Sequence, residues 1–215
     1  MQDQGNDLMF HTDAFSRAAE DIIQAGRFLY QQGWSPATSS NYSCRLDSHH
    51  AAITVSGRHK GQLSPEDIMV VDPQGNPVAS TQRPSAETLL HTRLYQMWPH
   101  LGAVLHTHSV AATVIGRLTE GSSLELSGYE LQKAFPGQDT HDSTLSLPIF
   151  DNTQDIPALA ETANAWLRDH PECPGYLIRG HGLYTWGQTM KDCLRHIEAL
   201  EFLLTCELET MRIRG

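Results

Sequence analysis

The sequence lacks the cysteine patterns that crosslink small secreted proteins or hold structural zinc. Its 215 residues include four cysteines, and no two of them have the C-x-x-C spacing. They are Cys44, Cys173, Cys193 and Cys206. We therefore expect reduced cysteines that mostly pack in the interior, and neither a disulfide framework nor a thiolate metal site.

Long apolar runs and an excess of positive charge are also missing. No apolar stretch approaches the roughly 20 residues of a membrane-spanning helix, and residues 1–7 lack the basic start and apolar segment of a secretory signal. We expect a cytoplasmic protein without membrane contact. A formal net charge of −10 argues against nucleic acid as a partner, but it allows a small anionic substrate where donors gather locally.

The chain has no internal repeats or low-complexity segments. We expect one domain over residues 1–215, with residues 1–9 flexible. Short strands interleaved with amphipathic helices predict an α/β fold, a sheet covered by helices. Periodicity predicts helices over residues 10–31, 85–98, 110–118, 156–169 and 190–212. Segment 35–45 is expected to be a small-residue turn that enters a strand, and further strands are expected near residues 51–57, 68–71, 102–108, 145–149 and 175–178.

Three histidines stand where strands are expected to end. His106 and His108 follow the apolar run 102–105, and residues two apart lie on the same face of a strand. His181 follows the run 176–178 and lies between two glycines, which permit a sharp turn. A single histidine is more often a surface or core residue than a ligand. Together, three imidazoles without a thiolate suit a catalytic zinc with an open position, although iron, cobalt and manganese accept the same ligands.

Two carboxylates are candidates for the base that such a metal site needs. A metal-polarised carbonyl makes an adjacent C–H bond acidic, and a positioned carboxylate can remove the proton. Glu87 is expected in the first turn of a helix, and Glu130 lies three residues before Lys133. His91, four residues after Glu87, can orient that carboxylate, bind the metal, or be an ordinary polar helix residue. Lys133 can hold a substrate oxyanion or remain a solvated surface residue.

Small-residue turns before the histidines predict a phosphate site. Backbone N–H groups and hydroxyls of such turns are natural phosphate donors, and segments 38–41 and 56–61 and Ser85 supply them. Each segment alone is more often a plain turn. The candidate phosphate residues are Asn41, Ser56, Gly57, Lys60 and Ser85.

From about Leu29 to the C-terminus the sequence resembles the zinc-dependent class II aldolase and adducin-head family. The segments that carry the resemblance are Pro84–Glu87, Ala103–His108 and Arg179–Gly182. Segments 83–92, 126–133 and 148–152 look closest to the bacterial sugar-phosphate dehydratases of that family. The resemblance implies a central, mostly antiparallel sheet in a single class II aldolase-like domain.

The resemblance also implies a site. His106, His108 and His181 would bind one Zn²⁺ per subunit, and the phosphate would lie near Asn41 and Gly57 as well as Ser85. Glu130 matches the acid/base position of the dehydratases, whereas Glu87 matches that of the aldolases. The subunits would form a four-fold homotetramer with sites near subunit boundaries. Many relatives have a glycine where this chain has Ser39-Ser40, so the turn before Asn41 is expected to differ slightly.

We therefore expect zinc-dependent dehydration of a sugar phosphate. The first alternative is a sugar-phosphate aldolase or epimerase with the same zinc. Glu130 near the metal would favour elimination, and Glu87 alone near the metal would favour aldol cleavage. The second alternative is a non-enzymatic interaction module, against which the three histidines argue. Because imidazoles lose metal when protonated, we expect activity to fall below about pH 6.

Overall fold

A computed structural model describes residues 13–214 of the chain. The expected flexibility of residues 1–9 and the expected helix start at Phe10 lie outside these residues. The helices are α1 (Asp13–Gln31), α2 (Thr88–Met97), α3 (Val110–Leu118), α4 (Ile156–Asp169) and α5 (Met190–Arg214). The strands are β1 (Asn41–Arg45), β2 (Ala51–Thr54), β3 (Ile68–Val71), β4 (Pro77–Val78), β5 (Ala103–Thr107), β6 (Ser123–Ser127), β7 (Thr144–Phe150), β8 (Gly175–Ile178) and β9 (Gly182–Gly187).

Within the described residues the strands form one nine-stranded sheet in the order β4-β3-β2-β1-β5-β9-β8-β7-β6. Neighbouring strands are antiparallel except β7 and β8, which are parallel. The expected α/β fold with a mostly antiparallel sheet is therefore confirmed. The three strands that carry the candidate site, β1, β5 and β9, are adjacent at the centre of the sheet.

Helices cover both faces of the sheet. Buried residues of α1, α3 and α5 pack on one face, and those of α2 and α4 pack on the other. The alternation in β5 shows which face the site occupies. Ala103 and Leu105 belong to the first core and Val104 to the second, so His106, two residues after Val104, faces the α2 and α4 side.

Three strands were not expected from the sequence. β9 is buried at all six positions, so it lacks the alternation of polar and apolar residues that predicts a half-exposed strand. The glycines at its two ends are typical of turns and so do not indicate a strand. β6 has the alternation of an edge strand but only five residues, and β4 has two. Among the described helices, none has the length and apolar character needed to cross a bilayer. The four cysteines are unpaired, and three of them are buried, as expected.

Candidate active site

Strand pairing brings together residues that are far apart in the sequence. Asn41 at the start of β1 lies opposite His106 near the end of β5, and His106 lies opposite Tyr184 of β9. The Tyr184 ring stacks on the His106 ring with centroids 4.0 Å apart. One end of the central strands therefore gathers an amide, an imidazole and a phenol on the same face of the sheet.

A tight hairpin between β8 and β9 presents His181. Gly180 adopts φ 65°, a left-handed conformation that favours glycine. At Gly182 a Cβ atom would overlap the Thr107 carbonyl oxygen, so only glycine fits beside β5. The Arg179 guanidinium donates to the carbonyl oxygens of Gly116, Thr119 and Gly121. The hairpin is thus anchored at the end of α3.

Four side chains then converge in a geometry that fits a tetrahedral metal. One ligand atom from each of Glu87, His106, His108 and His181 lies within 4.8 Å of all the others. His106 Nε2 is 3.3 Å from His181 Nε2, and the Glu87 oxygens lie 3.4 Å and 3.3 Å from these two nitrogens. Ligands about 2.0 Å from a tetrahedral zinc are about 3.3 Å apart. The residues present therefore fit a divalent metal ion.

The imidazole of His106 is set up as a ligand. Its Nδ1 donates to the Leu183 carbonyl oxygen at 3.0 Å, which leaves the Nε2 lone pair facing the cluster. Burial, followed by the neighbouring imidazole of His108, holds the His106 pKa well below its usual range. A neutral Nε2 cannot donate to the carboxylate beside it, so a cation between them would relieve the repulsion. Burial likewise lowers the pKa of His108 to about 4. Protons therefore compete for these two nitrogens at lower pH than expected from the sequence.

Glu87 lies just before α2 and not in its first turn. The helix begins at Thr88, because Thr88 donates through both its backbone N–H and its hydroxyl to the Ser85 carbonyl oxygen and closes a turn there. Asn41 Nδ2 donates to Glu87 Oε2 at 2.8 Å and to Ser85 Oγ at 3.1 Å. The turn and the amide together direct the carboxylate toward the histidines.

The cluster opens into a cavity of about 480 Å³. Its lining includes all five candidate phosphate residues together with Glu87, His108 and His181. Lys60 is 1% exposed, and its Nζ donates to the carbonyl oxygens of Thr38 and Arg58. Burial lowers the Lys60 pKa to about 8, although Asp67 opposes this. A buried cation whose hydrogen-bond acceptors are carbonyls favours an anion in the adjoining cavity.

Two turns of this cavity have left-handed backbone. Gly57 adopts φ 75°, and Ser40 adopts φ 72° at the position before Asn41. Such a conformation turns consecutive N–H groups toward a common point, as in anion-binding nests. Ser40 therefore takes a glycine-like conformation although it carries a side chain, in the turn that was expected to differ from relatives.

Glu130 lies outside this cavity. It begins a short 3-10 helix after β6, and its side chain is 71% exposed. Its oxygens lie 2.5 Å from Lys133 Nζ and 3.7 Å from His141 Nδ1. Within one chain, then, the structure brings Glu87 to the histidines and leaves Glu130 on the surface. Lys133 is engaged with Glu130.

His91 is fully buried behind the site and not in the metal cluster. Its Nδ1 is 2.8 Å from Ser43 Oγ, and its Nε2 forms a short hydrogen bond with Asn41 Oδ1. Of the alternatives left open by the sequence, direct metal binding is therefore excluded by the engagement of both nitrogens. His91 does not contact Glu87 directly, because Asn41 lies between them and hydrogen-bonds to both.

Sequence reasoning missed two parts of the site. Tyr184 was concealed with the rest of β9. The segment 152–157 follows β7, and all its residues except Asp155 line the cavity. The parallel pairing of β7 with β8 places this segment at the same edge as the His181 hairpin. The polar run directly after a buried strand was the available signal, but it indicates a site only once the neighbouring strand is known.

Comparisons with known proteins agree with this fold. The family model for the class II aldolase and adducin N-terminal domain matches residues 20–208. The chain is 67% identical over 207 residues to a methylthioribulose-1-phosphate dehydratase of Marinobacter nauticus, covering 96% of this chain and 100% of that protein. It is 61% identical to the enzyme of the same name from Hahella chejuensis, with the same coverage. The fold matches L-fuculose-1-phosphate aldolase from Thermus thermophilus with a TM-score of 0.75 at 24% identity, covering 94% of this chain and 98% of that one.

Proposed function

The chain belongs to the class II aldolase and adducin family, and we propose that it dehydrates 5-methylthioribulose 1-phosphate to 2,3-diketo-5-methylthiopentyl 1-phosphate, a step of methionine salvage. Two relatives at 61% and 67% identity, aligned over their whole length, bear the name of this hydro-lyase. The observation that carries the proposal is that three residues of the metal-ligand cluster and the five phosphate-site candidates line one cavity; the three are Glu87, His108 and His181. A phosphorylated substrate can therefore reach both at once.

The ligand set proposed for one zinc ion per subunit is His106, His108 and His181, with the Glu87 carboxylate beside it. When bound, zinc would polarise the C2 carbonyl and C3 hydroxyl of the substrate and make the C3 proton acidic. The imidazoles of His106 and His108 stay neutral because burial opposes their protonation. Asn41, Ser56, Gly57, Lys60 and Ser85 would bind the phosphate, with Lys60 supplying the positive charge.

Glu130 is proposed as the base that takes the C3 proton. The C3–H electron pair then forms the C3–C4 double bond, and the C4 hydroxyl leaves as water with a proton from Glu130 or Glu87. The resulting enol ketonises to the diketone. Because Glu130 is on the surface of its own chain, it would reach the cavity of a neighbouring copy. This requires an oligomer, and we propose the homotetramer that the family resemblance implies.

The substrate is an anionic sugar phosphate, which does not cross membranes unaided, so we also propose a cytoplasmic location. The second candidate function is aldol cleavage or epimerisation of a sugar phosphate. Its support is the position of Glu87, which is the one carboxylate found at the three histidines within the described residues. The identity of the relatives favours dehydration over it.

The first experiment is turnover of 5-methylthioribulose 1-phosphate by the zinc-loaded protein, with diketone and aldol-cleavage products followed together. We expect the diketone, and its loss in Glu130→Gln. If the wild type forms cleavage products and no diketone, the second candidate function is correct.

Mixing two inactive variants tests the origin of Glu130. Glu130→Gln keeps its histidines, and His106→Asn keeps its Glu130. Random reassembly into tetramers gives about a quarter of the sites an intact ligand set beside an intact neighbouring Glu130, so about a quarter of wild-type activity should return. Each variant refolded alone is the control. No recovery from the mixture, despite exchange of subunits, would place both groups in one chain.

A further inference from the structure

A buried chain of hydrogen bonds leads from the Glu87 carboxylate into the layer between β1 and α2. Asn41 Nδ2 donates to Glu87 Oε2 at 2.8 Å, and Asn41 Oδ1 is hydrogen-bonded to His91 Nε2. His91 Nδ1 is 2.8 Å from Ser43 Oγ, which in turn is 2.8 Å from the Tyr95 hydroxyl. All four residues behind the carboxylate are buried. The chain thus connects the site to the core.

The repeat lengths of a strand and a helix allow this chain to form. Asn41 and Ser43 are two residues apart on one face of β1, a step of about 6.6 Å. His91 and Tyr95 are one turn apart on α2, a step of about 6 Å. Because the two steps nearly match, each side chain of the helix meets a side chain of the strand.

The direction of every hydrogen bond follows from the carboxylate, which at Glu87 can only accept. Asn41 must therefore present its NH₂ group to Glu87 and its Oδ1 to His91. His91 must carry its proton on Nε2, since burial lowers its pKa to about 3 and keeps the ring neutral. Its Nδ1 then accepts from the Ser43 hydroxyl, and Ser43 Oγ accepts from the hydroxyl of Tyr95. No group in the chain is left without a consistent role.

We propose that His91 is a positioning residue that holds the Glu87 carboxylate in the metal site by fixing the orientation of the Asn41 amide. The inference rests on the proposed function in so far as Glu87 belongs to that site. Without the His91 N–H, the buried Asn41 Oδ1 has no donor, and the amide can rotate to turn its oxygen against the carboxylate. Partners behind metal ligands commonly contribute about ten- to hundredfold to metal affinity or activity.

Three substitutions of His91 separate positioning from packing. In His91→Gln the amide nitrogen takes about the place of Nε2, so the donor to Asn41 is kept. In His91→Asn the amide takes the place of Nδ1 and cannot reach Asn41, and His91→Phe fills the volume with no polar atom. Zinc affinity is measured by competition with a chelator, independently of turnover.

We expect zinc affinity to fall about ten- to hundredfold in His91→Asn and His91→Phe, and to stay within about threefold of wild type in His91→Gln. Equal losses in the Gln and Phe variants, or unchanged affinity in the Asn and Phe variants, would overturn the proposal. If wild type binds zinc but does not dehydrate the substrate, the proposed function fails while these affinities still decide the role of His91.

Ser43→Ala tests the part of the chain behind His91. Removing the hydroxyl that donates to Nδ1 leaves the Nε2–H donor to Asn41 Oδ1 in place, so zinc affinity should fall less than in His91→Phe. The ¹⁵N spectrum of the wild-type imidazole tests the direction of the chain without any substitution. Protonation at Nε2 is expected, and protonation at Nδ1 would overturn the assignment.

Discussion

Glu87 and Glu130, two glutamates suited to the same proton transfer, lie in opposite surroundings. The Glu87 side chain is 12% exposed, lies within 3.4 Å of two imidazole nitrogens and accepts a hydrogen bond from an amide. The Glu130 side chain is 71% exposed and pairs with Lys133 and His141 on the surface. The Glu87 carboxylate is held in position beside a site for a cation. The exposed Glu130 carboxylate is free to approach another molecule.

The difference shows what each position can do within one chain. Glu87 is fixed by a turn before α2 and by the buried amide of Asn41, so moving it would disrupt the site. Glu130 stands on a short 3-10 helix, and its ion pair is of the exposed kind that contributes little to stability. If both act on one substrate, the first belongs to the cavity itself and the second arrives with a neighbouring subunit.

The largest expected effect is the loss of turnover when either carboxylate is removed, and zinc binding then distinguishes the two residues. Glu87→Gln and Glu130→Gln should each reduce turnover by about 10²- to 10⁴-fold, the usual contribution of a proton-transferring group. Zinc affinity should fall in Glu87→Gln, because a neutral amide replaces a charged oxygen beside two imidazoles. It should be unchanged in Glu130→Gln. Zinc content after dialysis against a chelator measures this.

Aspartate variants are the controls, since Glu87→Asp and Glu130→Asp keep the charge and shorten the reach. Loss of zinc from Glu130→Gln, or full retention by Glu87→Gln, would remove the distinction between the two residues.

A third glutamate extends the comparison to a buried carboxyl that has no ion pair with any of residues 13–214. Glu201 of α5 is 1% exposed and accepts a 2.6 Å hydrogen bond from Thr107 on the far face of β5. Burial raises its pKa to about 7, although hydrogen bonds from Ser109 and Thr107 oppose this. The folded state therefore holds a proton that the unfolded state releases near pH 4.5. The contribution of Glu201 to stability is present below pH 4.5 and is lost as pH rises to about 7.

Glu201→Gln should abolish this loss of folding stability with rising pH, because the variant has no titrating carboxyl at this position. The stability of the variant relative to wild type should increase by about 3 kcal/mol between pH 4.5 and pH 7.5. Urea unfolding of both proteins at one protein concentration measures the difference, and Glu198→Gln on the exposed side of α5 is the control. A constant difference across this range would mean that the pKa of Glu201 is the same in the folded and unfolded states.

Local patterns predicted the parts of this molecule that depend on local geometry. The H-x-H spacing placed His106 and His108 on one side of β5, and the Gly-His-Gly sequence predicted the sharp turn at His181. The phosphate candidates line one cavity because their turns lie at the ends of β1 and β2 and before α2.

Other parts of the site have no local signal. Pairing of Asn41 with His106, which decides where Glu87 points, is a contact across 65 residues. Tyr184 was missed because a strand buried on both faces has no period. The surroundings of Glu130 in an assembly are not a property of one chain.

The smallest expected effect tests whether the surface pair of Glu130 persists in the working enzyme. The Lys133 hydrogen bond, with smaller contributions from the charges of Lys133 and His141, lowers the pKa of Glu130. Lys133→Met should raise that pKa, so the carboxylate needed as a base is lost at higher pH. The acid limb of the kcat/KM profile should move upward only slightly, because solvent screens an exposed pair. Lys191→Met, at an exposed position of α5 outside the site, should leave the profile unchanged. An unmoved limb in Lys133→Met would show that Glu130 exchanges this lysine for other partners when it enters the neighbouring cavity.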